Sequence, residues 1–391
     1  MASSMRTDGP DVLGCLAALA GLELMTISRL RVLLAHHDPA DAYEVATGRR
    51  PAHPMVERMM QGQVRAAWRA SADRRSPSEW GARCRRDDIS AVTMRDDDYP
   101  PVLRHDPEPP AVLFVRGRLD VLDARRVGVV GTRNATRAGR ATATALGRGL
   151  AAEGVVVVSG LAKGIDAGAH HGALSVVAAG AAPPVAVVGN GLDTPYPRVN
   201  ARLWDEVARH GLLLSEWPPG TAPEAFRFPL RNRILAALSE IVVVVESRER
   251  GGSLITATAA MERGIDVMAV PGSVNSRAAL GVNQLLRDGA APVTSAQDVL
   301  LALGLDNRRS GRSDFDPRPL PRGVEAAVLE RCRRDPCTLD EVVVDLQLPL
   351  AEAAMTLARL ERTGWLHEAG GWFEAVVDWP DAPSHPPAVY R

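Results

Sequence analysis

Between residues 125 and about 303 the chain alternates two patterns. Short apolar, mostly β-branched runs occur at Val127–Val130, Val155–Val158, Val185–Val188, Leu212–Leu214, Ile241–Val245 and Val267–Val270. Alanine-rich or amphipathic stretches of helical period separate them. A run that is apolar on both faces is what a parallel strand covered by helices requires. The pattern therefore predicts an α/β fold, a Rossmann-like, doubly wound, mostly parallel sheet. Ligands of such sheets gather at the carboxyl ends of the strands. Small or polar residues follow nearly every run here: Gly131-Thr132-Arg133, Ser159-Gly160, Gly189-Asn190-Gly191, Ser215-Glu216, Glu246-Ser247 and Pro271-Gly272.

The flanks read differently. Residues 1–75 predict an N-terminal helical domain, with Leu13, Leu16, Leu19, Leu30, Leu33 and Leu34 at helical spacing around a turn at Gly21. A small structural bundle is its simplest reading. Residues 76–304 are assigned to the α/β domain, whose lead-in is punctuated by Pro100, Pro101, Pro107, Pro109 and Pro110 before the strand-like AVLFVRG. A polar, arginine-bearing linker is expected at 305–320. Residues 321–378 then predict three helices and a hairpin about a Gly-Gly turn, the order of a winged-helix domain. Thr338 and Glu341 have the spacing of a capping box. Arg359 and Arg362 are offset by Glu352 and Glu361, so this module is expected to dock a partner or a second copy rather than read a duplex. Residues 379–391 are expected to form a disordered tail.

Composition narrows the function classes. The 391 residues are 46% hydrophobic and only 4% aromatic, so aliphatic packing must dominate the core. No apolar run reaches the roughly 18 residues that a membrane helix needs. An export signal is not evident at the N-terminus, and a cytoplasmic location is expected. Cys15, Cys84, Cys332 and Cys337 are too sparse for a disulfide framework, and the last two lack the spacing of a zinc site. The formal net charge of −1 argues against a general polyanion binder but leaves room for a local basic patch. Lys163 is the only lysine of the chain. Codon bias is the plainer explanation, yet it stands in a glycine loop where a compact ammonium can meet an anion.

The strand-end loops carry the candidate chemistry. The segment VGVVGTRNATRAGR has no GxGxxG, and Ser159 stands where a dinucleotide fold would place an acid. NAD and FAD are not expected, a P-loop is missing, and no cofactor or metal is implied. What remains is a set of parts for holding an anion. They are Gly131, Thr132 and Arg133 after the first strand, and Ser159, Gly160, Lys163 and Gly164 after the second. Arg227, Phe228, Arg231, Asn232 and Arg233 come from EAFRFPLRNRILAAL, and Gly252, Ser253 and Thr256 from RERGGSLITATAAME. Backbone N–H groups at glycine turns and planar guanidiniums suit phosphate oxygens, and Phe228 suits a base face. Each part has a plainer reading: the glycines as turns, Phe228 as core, Arg231 and Arg233 as partners of Glu216 and Glu224, His170 and His171 as a solvated helix face.

Seven ordered blocks carry a family resemblance: GTRNAT, VVSGLAKGIDAGAHHGAL, GNGLDTPYPRVN, LLLSEWPPGTAP, FPLRNRILAALS, VVVVESRERGGSLITA and VMAVPGS with GVNQLLRDGAAPVTSAQDVL. Over about residues 98–303 the chain resembles the DNA-processing protein A family (DprA, also called Smf). The resemblance implies a protein that is not an enzyme but binds single-stranded DNA. It further implies protection of incoming DNA, loading of the RecA recombinase in natural transformation or recombination, and often a homodimer. It places phosphate and base contacts on Arg133, on Ser159–Asp166 and on Phe228–Arg233, with Gly252–Ala257 lining the same cleft. Thr132 departs from the family's serine. A rival of another class is a nucleotide-binding phosphoribohydrolase, whose catalytic glutamate would fall on Thr258 or Ala259 here.

Overall fold

A computed structural model describes residues 11–305 and 321–376. The tail expected at 379–391 and the linker beyond Leu305 lie outside them. The described residues fall into two compact units, one on each side of that gap.

The first unit is built on a nine-stranded sheet. Its strands are β1 (Ser90–Thr93), β2 (Val112–Gly117), β3 (Arg126–Val130), β4 (Val156–Ser159), β5 (Val185–Val188), β6 (Leu212–Ser215), β7 (Ile241–Val244), β8 (Asp266–Ala269) and β9 (Ala291–Pro292). They lie in the order β1-β2-β6-β5-β4-β3-β7-β8-β9. From β6 to β9 every pairing is parallel, while β2 joins β6 antiparallel and β1 joins β2 antiparallel. The six apolar runs each form a strand of this mostly parallel sheet, shifted by a residue at most at either end. The lead-in run AVLFVRG becomes β2 and extends the sheet.

Alternate residues of each strand feed opposite faces, as a period of two dictates. Val127, Val129, Val157, Val243 and Met268 pack under the helices Arg137–Ala152 and Ile165–Val177. On the same face Phe114, Ala186, Val188 and Leu213 share one buried cluster with Leu19, Leu33, Tyr43 and Trp68 of the N-terminal helices. Val130, Val158, Val187, Val242 and Val244 face the other way, against the helices Arg227–Leu238 and Gly252–Met261. Gly147 and Gly172 let the helices Arg137–Ala152 and Ile165–Val177 touch backbone to backbone. A Cβ on Gly172 would lie 2.0 Å from the carbonyl oxygen of Thr144, and one on Gly147 2.1 Å from that of Ala169.

The second unit holds three helices, Val324–Arg334, Leu339–Leu346 and Leu350–Arg362, with the strands β10 (Cys337–Thr338), β11 (Leu366–Ala369) and β12 (Trp372–Ala375). The strands pair antiparallel in the order β10-β12-β11. The capping box forms: Glu341 N–H donates to Thr338 Oγ1 at 3.3 Å, and Thr338 N–H to the Glu341 carboxylate at 2.8 Å. Val328, Leu329, Val342, Leu357, Leu360 and Trp365 make the core of this unit. Arg359 pairs with Glu325 at 2.9 Å.

Candidate functional site

The chain leaves β3 toward β4, β5 and β6 on one side, then crosses back to β7 on the other. The loops after β3 and β7 therefore diverge, and a crevice opens outside their carboxyl ends. It holds two adjoining cavities, of about 560 and about 250 Å³.

Glu246, just past β7, fixes the β3 loop from the far side of the crevice. Its backbone oxygen accepts the Thr132 N–H at 2.8 Å, and its carboxylate accepts the Thr136 N–H at 2.9 Å. Arg133 is thereby held at the mouth, with its guanidinium 4.7 Å over the Phe228 ring. Tyr196 stacks on Phe228, with centroids 5.7 Å apart and planes 23° apart. Arg133, Phe228 and Tyr196 each border both cavities. An arginine layered on two rings is a surface on which a further planar group can stack.

Below this stack lies Arg231, buried, its guanidinium donating to the carbonyl oxygens of Gly160 (3.0 Å) and Val187. Burial lowers its pKa to about 10, the nearby Asp166 opposing that shift. Asp166 is also buried and accepts the N–H groups of Gly160 (3.2 Å) and Ala162 (3.4 Å). Burial raises its pKa, while Arg231 and those N–H groups pull the other way. The pair thus holds the loop after β4 from beneath, and Lys163 projects from that loop into solvent.

Eleven of the fifteen expected residues line the two cavities. Gly131, Thr132, Arg133, Phe228, Arg231, Asn232, Gly252, Ser253 and Thr256 border the larger, and Arg133, Gly160, Lys163, Phe228 and Arg231 the smaller. The other four do not. Ser159 is buried and donates its hydroxyl to the Val129 carbonyl at 2.6 Å. Gly164 supports the loop, since its φ of +84° and the Thr132 oxygen, 2.4 Å from a Cβ position, exclude other residues. Arg227 donates to the Ala222 carbonyl at 2.6 Å and pairs with Glu224 at 3.0 Å.

Arg233 requires a correction. It does not converge with Arg133 and Lys163; it is buried, ion-paired to Glu216 and bonded to the Glu108 carbonyl. Two steps along a helix rotate a side chain by about 200°, so Arg231 and Arg233 of one helix point to opposite sides. His170 likewise departs from a solvated face. It is fully buried, neither ring nitrogen has a hydrogen-bond partner, and burial pushes its pKa down to about 3. His171 is exposed.

Tyr196, Arg248 and Arg250 escaped the sequence reading as site residues, and Glu246 entered it only as a polar residue at a strand end. The first three line the crevice, and their signal was weak: an aromatic in a loop without period, and arginines just before a Gly-Gly pair. Arg133, Lys163, Arg248 and Arg250 are exposed and have no carboxylate partner among the described residues. The crevice therefore presents four free cations around a ring stack.

The family described as DNA recombination-mediator protein A matches residues 90–304, more than half of the chain. The chain belongs to this family. The matched span begins with β1 and takes in the whole sheet and both cavities. The chain is 43% identical over 212 residues to DNA processing protein DprA of Bacillus subtilis, covering 54% of this chain and 70% of that protein. To DprA of Streptococcus pneumoniae it is 45% identical over 210 residues, covering 54% and 73%. Among solved structures, DprA of Streptococcus pneumoniae superposes with a TM-score of 0.60 at 34% identity, over 75% of this chain and 97% of that one. DNA processing protein A of Helicobacter pylori, a structure reported for its single-stranded DNA binding mode, superposes with a TM-score of 0.50 at 29% identity, over 55% and 95%. Among the described residues no helix is long and apolar enough to cross a membrane.

Proposed function

We propose that this member of the family holds single-stranded DNA in the crevice between the β3 and β7 loops. One observation carries the reading: Arg133 layered on Phe228 and Tyr196, with Lys163, Arg248 and Arg250 around it and without a carboxylate partner among the described residues. Single strands are bound without sequence readout by just these means, cations tracking the phosphates and rings stacking on unpaired bases. The Helicobacter pylori relative supports it through the single-stranded DNA binding for which its structure is reported. Binding without chemistry fits the crevice. The carboxylate that borders it, Asp166, is buried and occupied by two N–H groups. Nothing favours the phosphoribohydrolase, since Thr258 and Ala259 stand where its glutamate would be.

Within this reading the protein protects the strand and hands it to a RecA recombinase in the cytoplasm, as a homodimer, during transformation or recombination. The second unit acts as a winged-helix module that docks protein. Its helix, strand, two helices and hairpin support that assignment.

The test is fluorescence anisotropy of a labelled oligothymidylate across a salt series. With four phosphate contacts the logarithm of the binding constant should fall with a slope of about −3 against log salt, at about 0.7 per contact for single strands. Arg133→Ala should weaken binding and flatten that slope by about 0.7. A wild-type protein that fails to bind the oligonucleotide at low salt overturns the reading.

A further inference from the structure

Arg83 lies on the helix Pro77–Arg86, outside the matched span and outside both cavities. Its guanidinium nevertheless reaches across to one carboxylate oxygen of Asp193, with Nε at 2.9 Å and a terminal nitrogen at 2.6 Å. The other oxygen of Asp193 accepts the Gly220 N–H at 2.7 Å. The contact is enclosed: the side chains are 27% and 6% exposed, unlike the surface pairs of the same helical layer. Gly220 is shaped to it as well. Its φ is +84°, and a Cβ there would lie 2.7 Å from the Arg83 guanidinium, so a side chain would push the arginine away.

Each loop joined by Asp193 leads to one ring of the stack. The loop after β5 runs from Asn190 through Asp193 to Tyr196, and is knit by Asn190 Nδ2 donating to the Gly191 and Thr194 carbonyls at 3.0 and 2.6 Å. The loop after β6 runs from Trp217 through Gly220 into the segment ending at Phe228. Gly191 N–H donates to the Thr221 carbonyl at 3.0 Å, a second tie between the two loops. Tyr196 and Phe228 therefore owe their spacing to loops whose shared anchor is a carboxylate held by the helix Pro77–Arg86, which packs on Val12–Ala20 and so belongs with the N-terminal helices.

We infer that Arg83, through Asp193 and Gly220, is a positioning residue for the Tyr196–Phe228 stack, so that the N-terminal helices set the affinity of the crevice for single-stranded DNA. This rests on the reading above and adds a role for a layer that touches no part of the crevice lining through Arg83 itself.

The experiment is a double-mutant cycle on oligothymidylate binding, each variant being checked for folding by its melting curve. Arg83→Ala should bind roughly tenfold more weakly, with the salt slope of the wild type, because no phosphate contact is removed. Asp193→Asn, which keeps the Gly220 hydrogen bond and the side-chain shape, should show the same loss even if Arg83→Ala melts early. In a Phe228→Leu background the further loss from Arg83→Ala should shrink well below tenfold, since the stack through which it acts has lost one of its two rings. Additive losses in the cycle, or wild-type affinity in a folded Asp193→Asn, overturn the inference. If the wild type itself fails to bind, the single-strand reading falls instead.

Discussion

Arg231 and Arg233 sit two positions apart in one helix and perform opposite tasks. Arg231 turns toward the crevice and braces the Gly160 carbonyl, whereas Arg233 turns away to a buried carboxylate. Glu216 is 3% exposed at its side chain, and burial raises its pKa to about 6 while Arg233 pulls it down. Removing the arginine would leave that carboxylate enclosed and unpaired. Arg233→Ala should therefore lower unfolding stability by about 3–5 kcal/mol in a denaturant titration. The folded fraction should bind oligothymidylate with the wild-type salt slope. A flattened slope would return Arg233 to the crevice. Which arginine braces the floor of the crevice and which meets Glu216 could not be read from FPLRNR alone. The answer needs the helix start at Arg227 and the direction of the sheet, neither of which a run of six residues contains.

At the scale of elements, the helices Arg137–Ala152 and Ile165–Val177 carry the β3 and β4 loops into the crevice. Their approach depends on Gly147 and Gly172, and the neighbouring atom is in each case a backbone oxygen that cannot swing aside. Alanine is the better helix former by about 1 kcal/mol. At Gly172 that gain is opposed by overpacking of about 1–3 kcal/mol, so Gly172→Ala should melt below the wild type. It should also bind the oligonucleotide more weakly, because Lys163 hangs on the start of the displaced helix. A variant melting above the wild type would show that the helices part freely. The strands were legible because fully buried parallel strands leave uninterrupted apolar runs. β1 and β9 were not, being four and two residues long and partly exposed. Helical period told which side of the N-terminal helices is apolar, but not that this side shares a core with Phe114, Val188 and Leu213. The loop ends advertised themselves by glycine beside cation. Tyr196 did not, since a ring in an aperiodic loop looks the same whether it stacks or merely fills space.

The whole molecule is nearly neutral, with a formal charge of −1, and yet its crevice gathers Arg133, Lys163, Arg248 and Arg250, none with a carboxylate ion-pair partner among the described residues. Among the described residues, many of its other arginines are bound up in ion pairs at the surface or between layers, such as Arg263 with Asp106 and Arg83 with Asp193. Lys163 stands among the free ones and is the only side-chain primary amine of the chain. Amine-directed reagents, which scatter over most proteins, would thus find a single lysine here, on the lip of the smaller cavity. Acetylation removes the charge of a lysine and methylation keeps it. Treatment with an acetylating ester should therefore weaken oligothymidylate binding, and reductive methylation should leave it largely intact. Prebound oligonucleotide should shield Lys163, a footprint that peptide mass spectrometry can follow. One unmodified peptide would report on the occupancy of the groove.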